Sequence, residues 1–315
     1  MILSVEGYCG LTIEVEHVSK SFGRVQALRD VSFTVRNSSV VGYVGLNGAG
    51  KTTTIRIAVG VLPPDTGDVL IDGYSIVREK KKASERIGWV PELPIFESDF
   101  KALDYFVYLA GYYGYSHSEA RQMGIELLSK LGLGEALNRK LATFSQGMKK
   151  RFALAVSLIN DPPNFIFDEV LNGLDPQGIV FFRELALEFK KKCKAVLFSS
   201  HILSEVEGIA DEVVFIHKGR IIGVYSMEAI KSMVKPAIEI TLSRLDNEVV
   251  KLLEKYGEPV VVDEKKIILR NPSSDPSSVI AELVGMGVNV MEFKREEKSL
   301  EDFFFELIKK AEGGV

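Results

Sequence analysis

Gly45-Leu46-Asn47-Gly48-Ala49-Gly50-Lys51-Thr52 decides how this chain is read. The stretch fits G-x-x-x-x-G-K-[ST] in full, a loop whose small residues let backbone N–H groups curl around phosphate oxygens. Val40, Val41, Tyr43 and Val44 before it read as a buried strand. Ile55 to Val61 after it read as a helix that stops ahead of Pro63 and Pro64. A helix starting at this point aims its positive end at the phosphates. Lys51 is placed to reach the terminal phosphates as a point charge, and the Thr52 hydroxyl is placed for magnesium. A chance glycine-rich turn is the competing reading, and it does not account for a strand before and a helix after. By itself the loop says that the chain binds a nucleoside triphosphate and no more.

Outward from the loop the pattern changes several times. Residues 11–35 alternate apolar and polar (LTIEVEHV, then LRDVSFTV), as antiparallel strands with one buried face do. Residues 67–77 (GDVLIDGYSIV) read as a hairpin turning at Asp72-Gly73. From about Phe100 to Leu141 the texture is helical, and Ser145 opens a mostly apolar helix to about Ile159. Phe165, Ile166 and Phe167 form a second buried strand, ending in Asp168 and Glu169. Asp175-Pro176 starts the next helix, with Asp as cap and Pro in the first turn. Lys194 to Ser200 is a third apolar strand, closed by His201, and two strands follow around Gly219.

A boundary falls near residues 224–236, dividing the chain into a first domain over 1–225, helical over about 93–160, and a second over 226–315. The expected fold class is α/β: a phosphate-loop core of mixed sheet with an antiparallel and a helical subdomain, plus a small α+β C-terminal domain. That domain reads strand (Ile238–Leu242), helix (Asn247–Tyr256), strand (Val260–Asp263), strand (Lys266–Arg270), helix (Ser277–Met286), strand (Val288–Lys294), helix (Leu300–Lys310). Its first six elements follow a split βαβ, ferredoxin-like order.

Four further pieces then stand in one order: Phe144-Ser145-Gln146-Gly147-Met148, Asp168-Glu169, Asn172-Gly173-Leu174-Asp175, and His201. With the phosphate loop, they make the chain resemble the nucleotide-binding subunits of ABC transporters over about residues 10–225. The resemblance implies roles residue by residue. Phe22 would stack on adenine, with a place in the core as the competing reading for an aromatic there. Gly45, Leu46, Asn47, Gly48, Ala49, Gly50, Lys51, Thr52 and Thr53 would hold the phosphates. Asp168 would hold magnesium, Glu169 would be the general base for the attacking water, and His201 would contact the γ-phosphate. Ser145 and Gly147 would face the ATP of a second protomer, with Asp175 bridging the two sites. The implied partners are a second ATP-binding subunit, identical or not, joined head to tail, and a separate transmembrane permease subunit. The implied place is the cytoplasmic face of the membrane, and the implied cofactors are ATP and magnesium.

The chain also departs from the family pattern. In Ile87-Gly88-Trp89-Val90-Pro91-Glu92, the family usually has Gln where Glu92 stands. A carboxylate there can still bind magnesium, so Glu92 is expected on the metal side with Thr52 and Asp168. Gln146 and Met148 replace the commonest Gly and Gln, Asn172 replaces Ser, and Val170 replaces a frequent Pro. Together with the ending Ser299-Leu300-Glu301-Asp302-Phe303-Phe304, these features resemble exporters whose ATPase is a polypeptide separate from the membrane subunit.

Phe100, Tyr105, Phe106, Tyr108, Tyr112, Tyr113 and Tyr115 crowd residues 100–115, where the family receives a helix of the membrane subunit. Most are expected in the core of the helical part, with one to three lining a groove. Lys80-Lys81-Lys82 and Lys190-Lys191-Lys192 are expected on solvated faces.

A net charge of -4 and a pI of about 5.8 argue against a nucleic-acid binder that relies on a basic face. Cys9 and Cys193 fit no metal or disulfide framework, as in a reducing cytosol. No signal peptide is expected from MILSVEGYCGLTIEVEH, and no window approaches the ~18 apolar residues of a membrane span. A cytosolic ATPase of the same type acting on DNA or ribosomes is the alternative. Chromosome and repair ATPases interrupt the cassette with a long coiled coil, for which the segment between Glu92 and Ser145 is too short. Ribosome-acting relatives usually carry two cassettes, and this chain has one. A nucleotide-gated regulator without hydrolysis sits poorly with an intact Lys51, Asp168, Glu169 and His201.

Overall fold

A computed structural model of the chain describes residues 12–233, 237–270, 272, 276–296 and 300–313. Cys9 and Ser299 lie outside the described residues, while Cys193 is a free, exposed thiol. The chain divides into two compact units, Met1–Met227 and Glu228–Val315.

The first unit is built on the five-residue strand Val40–Val44, buried at every position. A strand buried on both faces belongs inside a parallel sheet, and that is where it lies. Six strands run in the order Arg220–Ser226, Glu212–His217, Val40–Val44, Ala195–Ser200, Asn164–Phe167, Ile87–Val90. The last five are mutually parallel, and Arg220–Ser226 closes one edge antiparallel. The alternating N-terminal segments Thr12–Phe22 and Val25–Arg36 pair antiparallel, and Thr12–Phe22 also pairs with Thr66–Ile71 of the hairpin. Their inward residues Ile13, Val15, Val18, Val31 and Val35 join Val41, Tyr43, Ile55 and Ile57 in one core, so this second sheet roofs the phosphate-loop helix.

Near the site, the helix after the loop and the strand before Glu92 differ from the sequence reading. The helix after the loop is Lys51–Ala58, ending before Val61. Gly60 takes φ 73, and the Val61 N–H closes back on the Arg56 carbonyl at 2.9 Å, a left-handed glycine stop that precedes the prolines. Ile87–Val90, given no element in the sequence reading, is an edge strand of the parallel sheet. Four residues with one glycine carry too little periodicity to announce it. The close packing of Gly88 explains the glycine: a Cβ there would come within 2.6 Å of the Phe165 ring.

In the second unit, four antiparallel strands run in the order Glu258–Val261, Lys266–Arg270, Ala237–Leu242, Val290–Glu296. Numbered along the chain that is 2-3-1-4, the split βαβ arrangement. Ile238, Ile240 and Leu242 alternate into a core shared with Val249, Leu253, Val279 and Leu283. Among the described residues no helix is long and apolar enough to cross a membrane.

Candidate active site

The parallel strands all end on one side, which is where open α/β sheets place ligands. Gly45 follows Val40–Val44, Asp168 follows Asn164–Phe167, His201 follows Ala195–Ser200, and Glu92 stands two residues beyond Ile87–Val90. The sheet therefore gathers residues far apart in sequence.

The loop needs its glycines for room. Gly50 takes φ 114, and a Cβ there would lie 2.7 Å from the Leu28 side chain; a Cβ at Gly45 would lie 2.5 Å from the Ile216 carbonyl oxygen. The chain folds back on Lys51, whose Nζ donates to the Gly45 carbonyl at 2.6 Å and lies 3.2 Å from Glu169 Oε1. A cavity of about 240 Å³ opens beside it, lined by Ala27, Asn47, Lys51, Thr52, Glu92 and Glu169 among others. Leu46, Gly48, Gly50 and Thr53 also line it.

Glu169 is the most constrained group. Its backbone takes φ 46, left-handed for a residue with a side chain, while the carboxylate is buried. Its Oε2 lies 2.9 Å from His201 Nδ1 and accepts from Asn172 Nδ2 at 3.0 Å. Its N–H donates to Ser199 Oγ at 2.8 Å, and the Ser199 hydroxyl donates to Asp168 Oδ1 at 2.8 Å. Thr52 Oγ1 donates to the same Asp168 oxygen at 3.3 Å.

Burial raises the Asp168 carboxyl above its ordinary pKa; the Ser199 and Thr52 hydroxyls oppose this, and the charges of Glu92 and Glu169 add to it. A buried carboxylate served by hydroxyls, with two more acids nearby, suits a bound divalent cation. Among the described residues no three His, Cys, Asp or Glu side chains converge as a metal cage. Magnesium does not need one, since it keeps waters and phosphate oxygens around one or two protein ligands.

The other sequence-derived residues fall elsewhere. Ser145 caps the helix Gln146–Ser157, its Oγ accepting from Met148 N–H at 3.2 Å. Asp175 caps Pro176–Lys191, accepting from Gly178 N–H at 2.8 Å, and lies 2.5 Å from Arg151 Nη2. Gly147 packs so that a Cβ would meet the Gly173 carbonyl at 3.1 Å. None of these three lines the cavity. Phe22 ends its strand with the ring half exposed, so it is not core, and Lys20 Nζ sits 5.9 Å from its centroid.

Lys150 and Ser199 were not singled out by sequence, and Asn172 was read only as a departure from the family pattern, not as a partner of Glu169. Ser199 carried a signal: a hydroxyl inside the apolar strand Ala195–Ser200 must find a buried partner. The aromatic cluster also differs from expectation. Of the seven rings only Phe106 is buried; Phe100, Tyr108, Tyr112 and Tyr113 are exposed. Helical spacing turns Ala102, Leu103, Phe106 and Ala110 inward, leaves Tyr108 and Tyr112 outside, and sets the half-buried Tyr105 between Tyr108 and the buried Phe152 in a ring-to-ring ladder.

A phosphate loop after Val40–Val44, a buried Asp-Glu pair after Asn164–Phe167, and a histidine after Ala195–Ser200, the strand between those two in the sheet, define an ATP-hydrolysing cassette. The family model described as ABC transporter matches residues 28–172. The chain is 33% identical over 302 residues to an uncharacterized ABC transporter ATP-binding protein, YhcH, of Bacillus subtilis, spanning 94% of this chain and 95% of that one. It is 32% identical over 300 residues to the bacitracin transport ATP-binding protein BcrA of Bacillus licheniformis, spanning 94% and 97%. A solved structure of an ATP binding subunit of an ABC transporter superposes with a TM-score of 0.65 at 31% identity, covering 70% of this chain and 92% of that one. The chain belongs to the ABC transporter ATP-binding proteins.

Proposed function

We propose that the chain hydrolyses ATP in a head-to-tail dimer to drive export through a separate transmembrane permease, working at the cytoplasmic face of the membrane. The observation that carries the catalytic reading is the placement of the Glu169 carboxylate. It lies 3.2 Å from Lys51 and 2.9 Å from His201, with Asp168 one residue back beside Thr52. Phosphoryl transfer needs positioning and charge neutralisation more than covalent chemistry. Lys51 and the N–H groups of Gly45–Thr53 bind the phosphates, and Phe22 offers its exposed ring to adenine. Glu169 orients the water and accepts its proton; His201 holds the Glu169 carboxylate and reaches for the γ-phosphate. Thr52, Asp168 and Glu92 would hold magnesium, which supplies charge neutralisation across the phosphates. These groups all fall within residues 1–225, and the accessory domain over 226–315 carries none of them.

The dimer reading rests on the resemblance at Ser145, Gly147 and Asp175, of which Ser145 and Asp175 are exposed helix caps away from the cavity. The permease reading rests on the transport named for the bacitracin relative and on the exposed rings of Tyr108 and Tyr112, since aromatic anchors suit helix-binding grooves. The dimer is tested by measuring the mass of Glu169→Gln in solution with magnesium and ATP. A stable dimer that holds unhydrolysed ATP is expected. A monomer with ATP bound would remove the sandwich from the mechanism.

A further inference from the structure

Glu169 is held at both ends of its backbone, and one of the two holders comes from a distant helix. Ser199 Oγ takes its N–H. The buried Lys150 ammonium donates to its carbonyl oxygen. Between the two grips the residue adopts φ 46, a conformation that a side-chain-bearing residue keeps only where the surroundings hold it. That peptide fixes the direction in which the carboxylate leaves the strand end, toward Lys51 and His201.

Lys150 sits one turn into Gln146–Ser157, the helix that begins at Ser145 and Gly147. The same helix touches the segment after Glu169 twice more. Arg151 Nη2 pairs with Asp175 Oδ1 at 2.5 Å, and Gly147 packs against the Gly173 carbonyl. The helix therefore clamps residues 169–175 at both ends. Burial lowers the Lys150 pKa below its ordinary value, and the charges of Glu169, Glu92, Asp168 and Glu205 around the ammonium oppose that shift without cancelling it. Glu205 Oε2 is buried without a hydrogen-bond partner among the described residues, and burial raises its carboxyl above the ordinary pKa. A cation that only filled space here would be a poor choice against its desolvation; a cation that grips a carbonyl amid acids has a role.

We propose that Lys150 is a positioning residue for hydrolysis: its ammonium fixes the Glu169 peptide and so ties the base of one site to the helix whose first turn meets the other protomer's ATP. The inference rests on the reading of Glu169 as the base. A shift of that helix on engagement with the second nucleotide is then transmitted to Glu169 itself through the Lys150 hydrogen bond, coupling assembly of the dimer to the aim of the base.

The test compares Lys150→Met, Lys150→Arg and Glu169→Gln with the wild-type full chain, reading magnesium-dependent turnover, ATP affinity and thermal midpoint. Lys150→Met is expected to keep ATP affinity within about twofold and to lose turnover about tenfold or more, because only the aim of the base is disturbed. Lys150→Arg, which keeps a cationic donor, is expected within about threefold of wild type. Turnover of Lys150→Met within about twofold of wild type overturns the inference, and so does a Lys150→Arg variant as slow as Lys150→Met, since that would make the role one of packing. If Lys150→Met proves too unstable to assay, Lys150→Arg and Lys150→Gln decide instead: arginine active with glutamine slow supports the inference, and the two alike overturns it. Glu169→Gln separates the two readings: an active Glu169→Gln removes the base itself, whereas an inactive Glu169→Gln beside an active Lys150→Met removes only the positioning role.

Discussion

Ser199 uses one hydroxyl twice, accepting from the Glu169 N–H and donating to Asp168 Oδ1. Removing it leaves a buried carboxylate and a buried amide each short of a partner. Ser199→Ala is expected to lower stability by about 1–3 kcal/mol, read by chemical denaturation, and to slow turnover more than it weakens ATP binding. Gly50→Ala acts by a different route: φ 114 and a Leu28 contact of 2.7 Å leave no room for a methyl group. Its expected signature is lost ATP affinity together with a lowered thermal midpoint, and an unchanged affinity would show that the loop relaxes around the methyl. At this scale the sequence was readable wherever chemistry dictates residue type at close spacing. A phosphate cradle demands Gly45, Gly50, Lys51 and Thr52 within one turn, so they could be picked out unaided. Lys150 and Ser199 act on Glu169 across 19 and 30 residues of chain, and no local pattern records that meeting.

At the scale of single elements, helix Ala102–Gly111 separates its faces cleanly. Phe106 is fully buried, whereas Tyr112 is 73% exposed and Tyr108 bonds it hydroxyl to hydroxyl at 2.6 Å. Phe106→Ala should therefore cost about 3–5 kcal/mol by denaturation, while Tyr112→Ala should fall within about 0.5 kcal/mol of wild type. A large loss at Tyr112 would mean that the ladder serves the fold instead of a partner. Density of aromatics in the sequence suggested core; only the helical phase, read against the buried Ala102, Leu103 and Ala110, turns them outward. Helices His117–Lys130 and Pro176–Lys191 are linked by Lys130 and Glu188, with Lys192 on the other Glu188 oxygen, both at 2.8 Å. Hydrogen bonds from Lys130 and then Lys192 hold the Glu188 carboxyl at a pKa of about 2, below its ordinary 4.5. A depressed carboxyl pKa gives stabilisation that is present above about 4.5 and is lost as pH falls toward about 2. The stability gap between wild type and Glu188→Gln should thus be widest near neutral pH and shrink over that acid window, within the ~0.2–1 kcal/mol of exposed pairs. A gap that grows on acidification would contradict the pairing.

On the scale of the whole molecule, each unit closes a core of its own: Ile13, Val41, Tyr43, Ile55 and Ile166 in the first, Ile238, Ile240, Val249 and Leu283 in the second. A fragment of residues 1–227 is expected to melt cooperatively and to bind ATP, measured by calorimetry and nucleotide titration; a fragment that aggregates or fails to bind would make the second unit part of the first one's stability. Most elements of both units were visible in hydrophobic periodicity, the short pieces Lys80–Ser84 and Ile87–Val90 excepted, but the order of strands in the first unit was not. Nothing in Ile87–Val90 tells the reader that it lies beside Asn164–Phe167, yet that pairing carries Glu92 to the cavity. The central claim is that one carboxylate, Glu169, activates the water for hydrolysis of ATP held by Lys51. Its most direct test is the turnover of Glu169→Gln beside wild type at saturating ATP with magnesium. The account predicts ATP bound at wild-type affinity and turnover reduced by about two orders of magnitude or more; turnover equal to wild type would contradict it.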